Sequence, residues 1–212
     1  MPDLDPCHIS VATFDKLASR YADKYFDLTL YDAHLARFAG CVASNTARVL
    51  DLACGPGNVS AFLQRIRPNW QLTGIDLAPG MLAQARARVP GVEFLLGDCR
   101  QLEQLQRSFD AAAWAFGLSY LLDDDARRCL ASLHAILAAD APMYLSTITG
   151  PAACALEASG TGEQVYMVYR PPGAVMALVE EAGFCIDFHE LIASPANAGK
   201  ATQDLVLVAR KV

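Results

Sequence analysis

The tightest constraint on this chain is a short apolar run, Arg48-Val49-Leu50-Asp51-Leu52-Ala53, that breaks into Gly55-Pro56-Gly57 and resumes with helical periodicity from Val59 to Ile66. A strand, a glycine turn and a helix in that order open a βαβ unit, and the pattern recurs downstream. Trp70 to Ile75 reads as a second strand ending at Asp76, with Pro79 placed to open the next helix. Val92 to Leu96 is a third strand ending at Asp98, and Phe109 to Phe116 a fourth ending at Gly117. A helix then runs from about Asp124 to Leu137, capped by Asp123 or Asp124, and Pro142 to Ile148 is a fifth strand.

Beyond the alternation the grammar changes. Pro171-Pro172 opens a helix that Gly183 closes. Phe184 to Ile192 and Gln203 to Ala209 read as strands joined by the turn-prone stretch Ser194 to Lys200, too short for a crossover helix, so they pair antiparallel. Gly150 to Gly162 has no clear period and is expected to be a mobile loop or lid. Residues 12–42 repeat apolar side chains at three- and four-residue steps, as in Phe14, Leu17, Ala18 and Tyr21, and form a helical arm ahead of the first strand. The expected fold is α/β: a doubly wound, mostly parallel, seven-stranded Rossmann-like sheet with a C-terminal antiparallel hairpin and an N-terminal helical arm. At 212 residues a single domain is expected: arm 1–46, strand-and-helix core 47–149, lid segment 150–170, and helix plus hairpin 171–212.

Composition excludes several functions. Seventeen Lys and Arg against 23 Asp and Glu give a net charge of −6, and the basic pairs Arg127-Arg128 and Arg210-Lys211 are isolated, which argues against nucleic acid. The longest uncharged apolar run, Ala111 to Leu122, falls short of the roughly 20 residues a membrane helix needs. The acidic start, Met1 to Asp5, does not resemble a signal peptide, and a cytoplasmic protein, monomeric or homodimeric, is expected. Seven scattered cysteines without a CxxC pair suggest neither a disulfide framework nor a zinc site. Asp123-Asp124-Asp125 reads as helix-start chemistry rather than a metal site.

In a doubly wound sheet ligands bind outside the carboxyl ends of the strands. Asp51 to Gly57, Asp76, Asp98 and Gly117 should therefore line one cleft. A glycine turn followed by an acid about 20 residues on also occurs in dinucleotide enzymes, and Asp76 lies 19 positions after Gly57. Against that reading, Ser60 replaces the third glycine, and Asp51 puts a negative charge where a pyrophosphate would be repelled and an ammonium attracted.

Val49 to Gly57 resembles the first motif of the class I S-adenosylmethionine-dependent methyltransferases. Gly74-Ile75-Asp76-Leu77 to Leu82 is similar to their ribose-binding segment, Phe94 to Cys99 to their adenine-binding segment, and Phe109-Asp110 to Leu122 to their fourth-strand motif. Glu181-Ala182-Gly183-Phe184 is an ending common in small-molecule members, so the resemblance spans about residues 13–212. It implies S-adenosylmethionine as cofactor, with Gly55 and Gly57 flanking its methionine part beside Ala53 and Asn58, and Asp51 holding its amino group. It further implies Asp76 on the ribose hydroxyls, Leu77 and Met81 against the adenine, and Asp98 and the Cys99 N–H on the adenine edge. Ala115 and Phe116 would pass the methionine part, and Tyr21 would close over the cofactor, unless it is simply a core aromatic. Ala53 stands where many members have glycine, and the added methyl should be tolerated.

The implied reaction moves a methyl group to an O or N atom of a small-molecule acceptor. The absence of Asn-Pro-Pro-Tyr or Asp-Pro-Pro-Tyr disfavours methylation of adenine or glutamine nitrogens, and the absence of a Pro-Cys nucleophile disfavours cytosine C5. An oxygen acceptor asks for a general base, for which His8, His34, His134 and His189 are the obvious candidates; His134 and His189 read as structural, and His8 and His34 reach the cleft only if the arm folds over it. Tyr120 and Tyr166 would orient the acceptor or simply pack. Leu145 to Gly150 together with Val165 to Arg170 is similar to small methyltransferases in which the intervening segment is a lid, and there Arg170 would meet an anionic substrate or be a surface cation. An NAD(P)-dependent oxidoreductase and a non-catalytic S-adenosylmethionine-binding module stay open as alternatives.

Overall fold

The computed structural model describes residues 5–158, 163–196 and 201–212. The arm is two helices, α1 (Pro6–Tyr25) and α2 (Asp32–Cys41), rather than one helical stretch. Alternation follows with β1 (Arg48–Leu52), α3 (Asn58–Ile66), β2 (Gln71–Asp76), α4 (Pro79–Arg88), β3 (Glu93–Leu96), β4 (Ala111–Ala115), α5 (Asp123–Ile136) and β5 (Pro142–Thr149). Between β3 and β4 a 3-10 segment, Cys99–Leu105, takes the place of a crossover α-helix. The chain then forms β6 (Ala153–Ala158), β7 (Gln164–Tyr169), α6 (Pro172–Glu181), β8 (Phe184–Ala193) and β9 (Gln203–Lys211).

Seven strands make one sheet in the order β3-β2-β1-β4-β5-β9-β8. The first five are mutually parallel, and β9 inserts antiparallel between β5 and β8. Side-chain alternation along the strands divides the core between the two faces. Leu50, Leu52, Trp114, Met143 and Leu145 pack with Leu130 and Leu133 of α5 and Val175 and Val179 of α6. Val49, Tyr144, Val206 and Val208 face the other way, against Phe38 of α2 and Phe62 and Leu63 of α3. Trp114, Phe38 and Leu63 are fully buried, so truncating any of them removes contacts worth about 2–5 kcal/mol.

Two expectations are corrected here. The segment Gly150 to Gly162, expected to be a mobile loop or lid, contains strand β6, which pairs antiparallel with β7 from Ala153↔Tyr169 to Ala158↔Gln164 as a two-stranded sheet of its own. The abundance of Gly, Ala, Ser and Thr obscured it because one face of β6 stays exposed and needs no apolar side chains. Residues 159–162 of that segment, 197–200 of the β8–β9 turn, and 1–4 of the acidic start lie outside the described residues. The second correction concerns α5, whose N-cap is Leu122; Asp123, Asp124 and Asp125 occupy the first turn, where their charge complements the helix dipole.

The arm lies over the sheet edge and is tied to the hairpin. Ser10 Oγ donates to the Tyr166 carbonyl at 3.0 Å and accepts from the Tyr166 N–H at 2.9 Å; Thr13 Oγ1 donates to the Gln164 carbonyl at 2.5 Å. Asp15 accepts from the Gly80 N–H at the start of α4, at 2.5 Å.

Candidate functional site

Strand order reverses between β1 and β4, and there the carboxyl ends of β1, β2 and β4 open on a cavity of about 120 Å³ roofed by α1. At its floor the β1–α3 turn places Gly57 at φ +89 as the N-cap of α3, where a Cβ would come within 3.1 Å of Val89. The turn is held from the side by Asp76, whose Oδ2 accepts from the Gly55 N–H at 2.8 Å and whose Oδ1 accepts from the Ala78 N–H at 2.9 Å. Burial raises the Asp76 carboxyl against the opposing pull of these amides.

Asp51, 1% exposed, sits beneath the turn. Its Oδ2 accepts from both the N–H and the Oγ of Ser60, at 3.0 and 2.6 Å, while its buried Oδ1 has no partner. Burial pushes this carboxyl up to about 7, with the Ser60 hydrogen bonds pulling the other way and nearby Asp76 adding to the rise. The serine that departs from a dinucleotide fingerprint is thus the group that orients Asp51. An unpartnered, buried carboxylate oxygen is satisfied by a cation.

Of the residues singled out from sequence, Tyr21, Asp51, Ala53, Gly55, Asn58, Asp76, Leu77, Met81, Asp98, Cys99, Ala115, Phe116 and Tyr120 all line this cavity. Gly57 does not; its open side faces Val89, Ala85 and Phe94 behind the turn. Asp98 lines the cavity but is already clasped by Arg100, whose Nε meets Oδ1 and Oδ2 at 3.0 Å each and whose Nη2 meets Oδ2 at 2.7 Å. The same guanidinium reaches Asp5 at 2.6 Å and Asp125 at 3.2 Å, joining the arm, the β3 exit and α5. This pairing holds the Asp98 and Asp5 carboxyls below the usual range despite their partial burial.

Two expected acceptor residues are placed elsewhere. Arg170 is 6% exposed and neither a surface cation nor open to an anionic ligand: it pairs with Asp123 at 2.7 Å and donates to the Leu118 and Leu121 carbonyls at 3.3 and 2.7 Å. Tyr166 projects from the face of β7 opposite Val165, Met167 and Tyr169, which pack on Phe14 and Tyr120, and it lines neither cavity. None of the four histidines lines this cavity or the one beside it. The arm does fold over the cleft, but His8 lies outside beside Asp5, and His34 pairs with Glu190 at 3.0 Å.

Backbone strain gathers at this edge. Ala53 and Phe116 adopt φ of +53 and +60, a left-handed conformation costly for side chains. The Ala53 methyl fits because residue 117 is glycine: a Cβ there would lie 2.8 Å from it and 2.3 Å from Trp114 Nε1.

Sequence reasoning missed a second cavity of about 510 Å³, which shares Tyr21, Asn58, Val59, Ala115, Phe116 and Tyr120 with the first. Its far end holds Tyr31, whose hydroxyl donates to Asp204 Oδ2 at 2.5 Å, and Ser194, whose Oγ donates to Asp204 Oδ1 at 2.6 Å. These residues come from the arm, β9 and the preceding turn, 173 positions apart at most, so no local motif announces them.

A family profile described as "Methyltransferase domain" matches residues 49–140. Demethylmenaquinone methyltransferase of Thermotoga maritima is 40% identical over 93 residues, which is 44% of this chain and 40% of that protein. Trans-aconitate 2-methyltransferase of Escherichia coli is 44% identical over 62 residues, 29% of this chain and 25% of that protein. The chain therefore spans well under half the length of these curated relatives. Magnesium protoporphyrin IX methyltransferase from Synechocystis, solved with bound S-adenosylmethionine, superposes over 100% of both chains with a TM-score of 0.72 at 15% identity, a likeness of fold. The fold is that of the Rossmann-like methyltransferases. The match over 49–140 and the shared fold make the chain similar to the S-adenosylmethionine-dependent methyltransferases.

Proposed function

We propose that this protein binds S-adenosylmethionine in the β1–β2–β4 cleft and transfers its methyl group to an O or N atom of a small-molecule acceptor. The observation that carries the cofactor assignment is the unpartnered Oδ1 of buried Asp51 beneath the Gly55-Pro56-Gly57 turn. A cationic amino group at that point completes the carboxylate's hydrogen bonding, whereas the pyrophosphate of a dinucleotide would meet two buried acids, Asp51 and Asp76. Asp76 keeps acceptor capacity for ribose hydroxyls after serving Gly55 and Ala78, since a carboxylate offers about four lone-pair sites. Leu77 and Met81 supply the apolar wall for the adenine, with the Cys99 N–H on its edge; Asp98 reaches it only by sharing its oxygens with Arg100. Ala53, Gly55, Asn58, Ala115 and Phe116 border the methionine part, and Tyr21 covers it.

When bound, S-adenosylmethionine supplies an electrophilic methyl group activated by its sulfonium. The chain's part is to align an acceptor with that methyl and keep water out, a contribution that reaches several kcal/mol when the attack geometry is held. No histidine lines the cleft, so positioning carries more of the catalysis than proton transfer by imidazole. Phe14, Tyr21 and Tyr120 pack edge to face at 5.6 and 4.9 Å over the opening, and aromatic faces there favour a cation. In this reading residues 47–149 hold the cofactor, and 1–46 with 150–170 and 171–212 complete the acceptor side of the single domain.

Calorimetric titration with S-adenosylhomocysteine and with NADH tests the reading. Tight binding of the former and none of the latter is expected, and the reverse overturns it. Asp76→Ala should weaken S-adenosylhomocysteine binding about tenfold or more, as loss of charged hydrogen bonds worth about 1.5–3 kcal/mol demands.

A further inference from the structure

The second cavity has a chemical character of its own. Aromatic side chains recur along its walls, among them Tyr25, Phe26, Phe62, Phe116 and Tyr144, which suits a flat ring system. Its charge is acidic: among the described lining residues Asp27, Asp32 and Asp204 face one guanidinium, Arg65, and that group already pairs with Asp32 at 3.4 Å. Arg170, the cation the sequence offered for an anionic substrate, is consumed by Asp123 and two carbonyls. A polycarboxylate entering here would be desolvated beside carboxylates with no free partner, which costs several kcal/mol.

At the end of this cavity Asp204, itself 1% exposed, receives one hydrogen bond on each oxygen, from Tyr31 and from Ser194; Ser194 Oγ also lies 2.6 Å from Thr202 Oγ1. Each oxygen retains a second acceptor site. From this geometry we infer that the methyl acceptor is an uncharged or cationic ring-bearing molecule whose O–H or N–H group is recognised by Asp204. The inference rests on the proposed methyltransferase reading and narrows its substrate class: Asp204 is the specificity-determining acceptor, and Tyr31 and Ser194 fix its orientation. Because Phe116 and Tyr120 line both cavities, a ring held here lies against the wall that also bounds the cofactor cleft.

The test uses the full chain saturated with S-adenosylhomocysteine and three probes: 2-naphthol, 2-methoxynaphthalene, which lacks the donor, and trans-aconitate. Calorimetry should find 2-naphthol binding about tenfold more tightly than its methyl ether and trans-aconitate binding least. Asp204→Asn should cut the naphthol preference to about threefold or less while leaving S-adenosylhomocysteine affinity unchanged, and Tyr31→Phe, which frees one acceptor site, should preserve the preference. Equal binding of the two naphthalenes, tighter binding of trans-aconitate, no binding of any probe, or an Asp204→Asn variant with the full preference each overturn the inference. Failure of S-adenosylhomocysteine to bind at all overturns the methyltransferase reading instead.

Discussion

The two cavities that meet at Phe116 and Tyr120 are built in opposite ways. The cleft we assign to the cofactor is floored by strand ends between Asp51 and Phe116, all inside the stretch that matches the methyltransferase-domain profile. The larger cavity draws on the arm, β5, and the turn before β9, mostly outside that stretch. The first is made by local turns whose side chains serve the backbone that carries them, as Asp76 serves Gly55. The second is made by long-range pairs such as Tyr31 with Asp204. A local frame survives change elsewhere in the chain; a frame assembled from distant segments can be rebuilt for another acceptor while the cofactor frame stays as it is.

The largest expected blow to this contrast is Arg170→Met. It unpairs Asp123, leaves the Leu121 carbonyl without its side-chain donor and leaves the Leu118 carbonyl only the Leu121 N–H, and should cost about 2–3 kcal/mol in chemical denaturation. An unchanged midpoint together with altered acceptor charge preference would return Arg170 to a substrate role. Next comes the pH dependence of cofactor binding. Asp51 must be ionised to hold a cationic amino group, and its carboxyl is raised to about 7, so S-adenosylhomocysteine affinity should rise about tenfold from pH 6 to pH 8. The Asp51→Asn variant should lose that slope. The same shift works against the fold: the folded state binds this proton more tightly than the unfolded chain, so its stabilising contribution is full below about pH 4 and is lost as pH rises through about 7.

On the acceptor side, Thr13→Val removes the bond from α1 to the Gln164 carbonyl and should cost about 1 kcal/mol. Hydrogen exchange should quicken in β6 and β7 while β1 and β2 keep their protection; equal quickening everywhere would mean the two sides are not separate. The smallest effect is expected at the joint. Ala53→Gly relieves a left-handed alanine and should stabilise the fold by about 0.5 kcal/mol, read as a small rise in Tm.

These differences also explain what the sequence disclosed. The sheet, its order of alternation and the glycine and acid positions at the floor of the first cleft follow from turns and strand ends a few residues long, whereas its roof from α1 does not. The β6–β7 hairpin stayed hidden because an exposed face carries no apolar alternation. Arg170 was misplaced because a cation beside a glycine-rich stretch reads the same whether it meets solvent, a ligand or a distant aspartate, and only the fold brings Asp123 to it. Arg100 was overlooked for a related reason: its three partners, Asp5, Asp98 and Asp125, are ordinary helix-start acids in sequence. Ser60 counted as a missing glycine until its hydroxyl was found on Asp51.

The bonds from Ser10 and Thr13 to the backbone of β7 have a mechanical consequence. Helix α1 roofs the cofactor cleft through Val11 and Phe14, and β7 packs Met167 and Tyr169 against Phe14 and Tyr120. Roof and hairpin are thus tied into one body by three hydrogen bonds on a single helix turn, so a displacement of α1 away from the cleft would carry β7 and its packing on Tyr120 along with it.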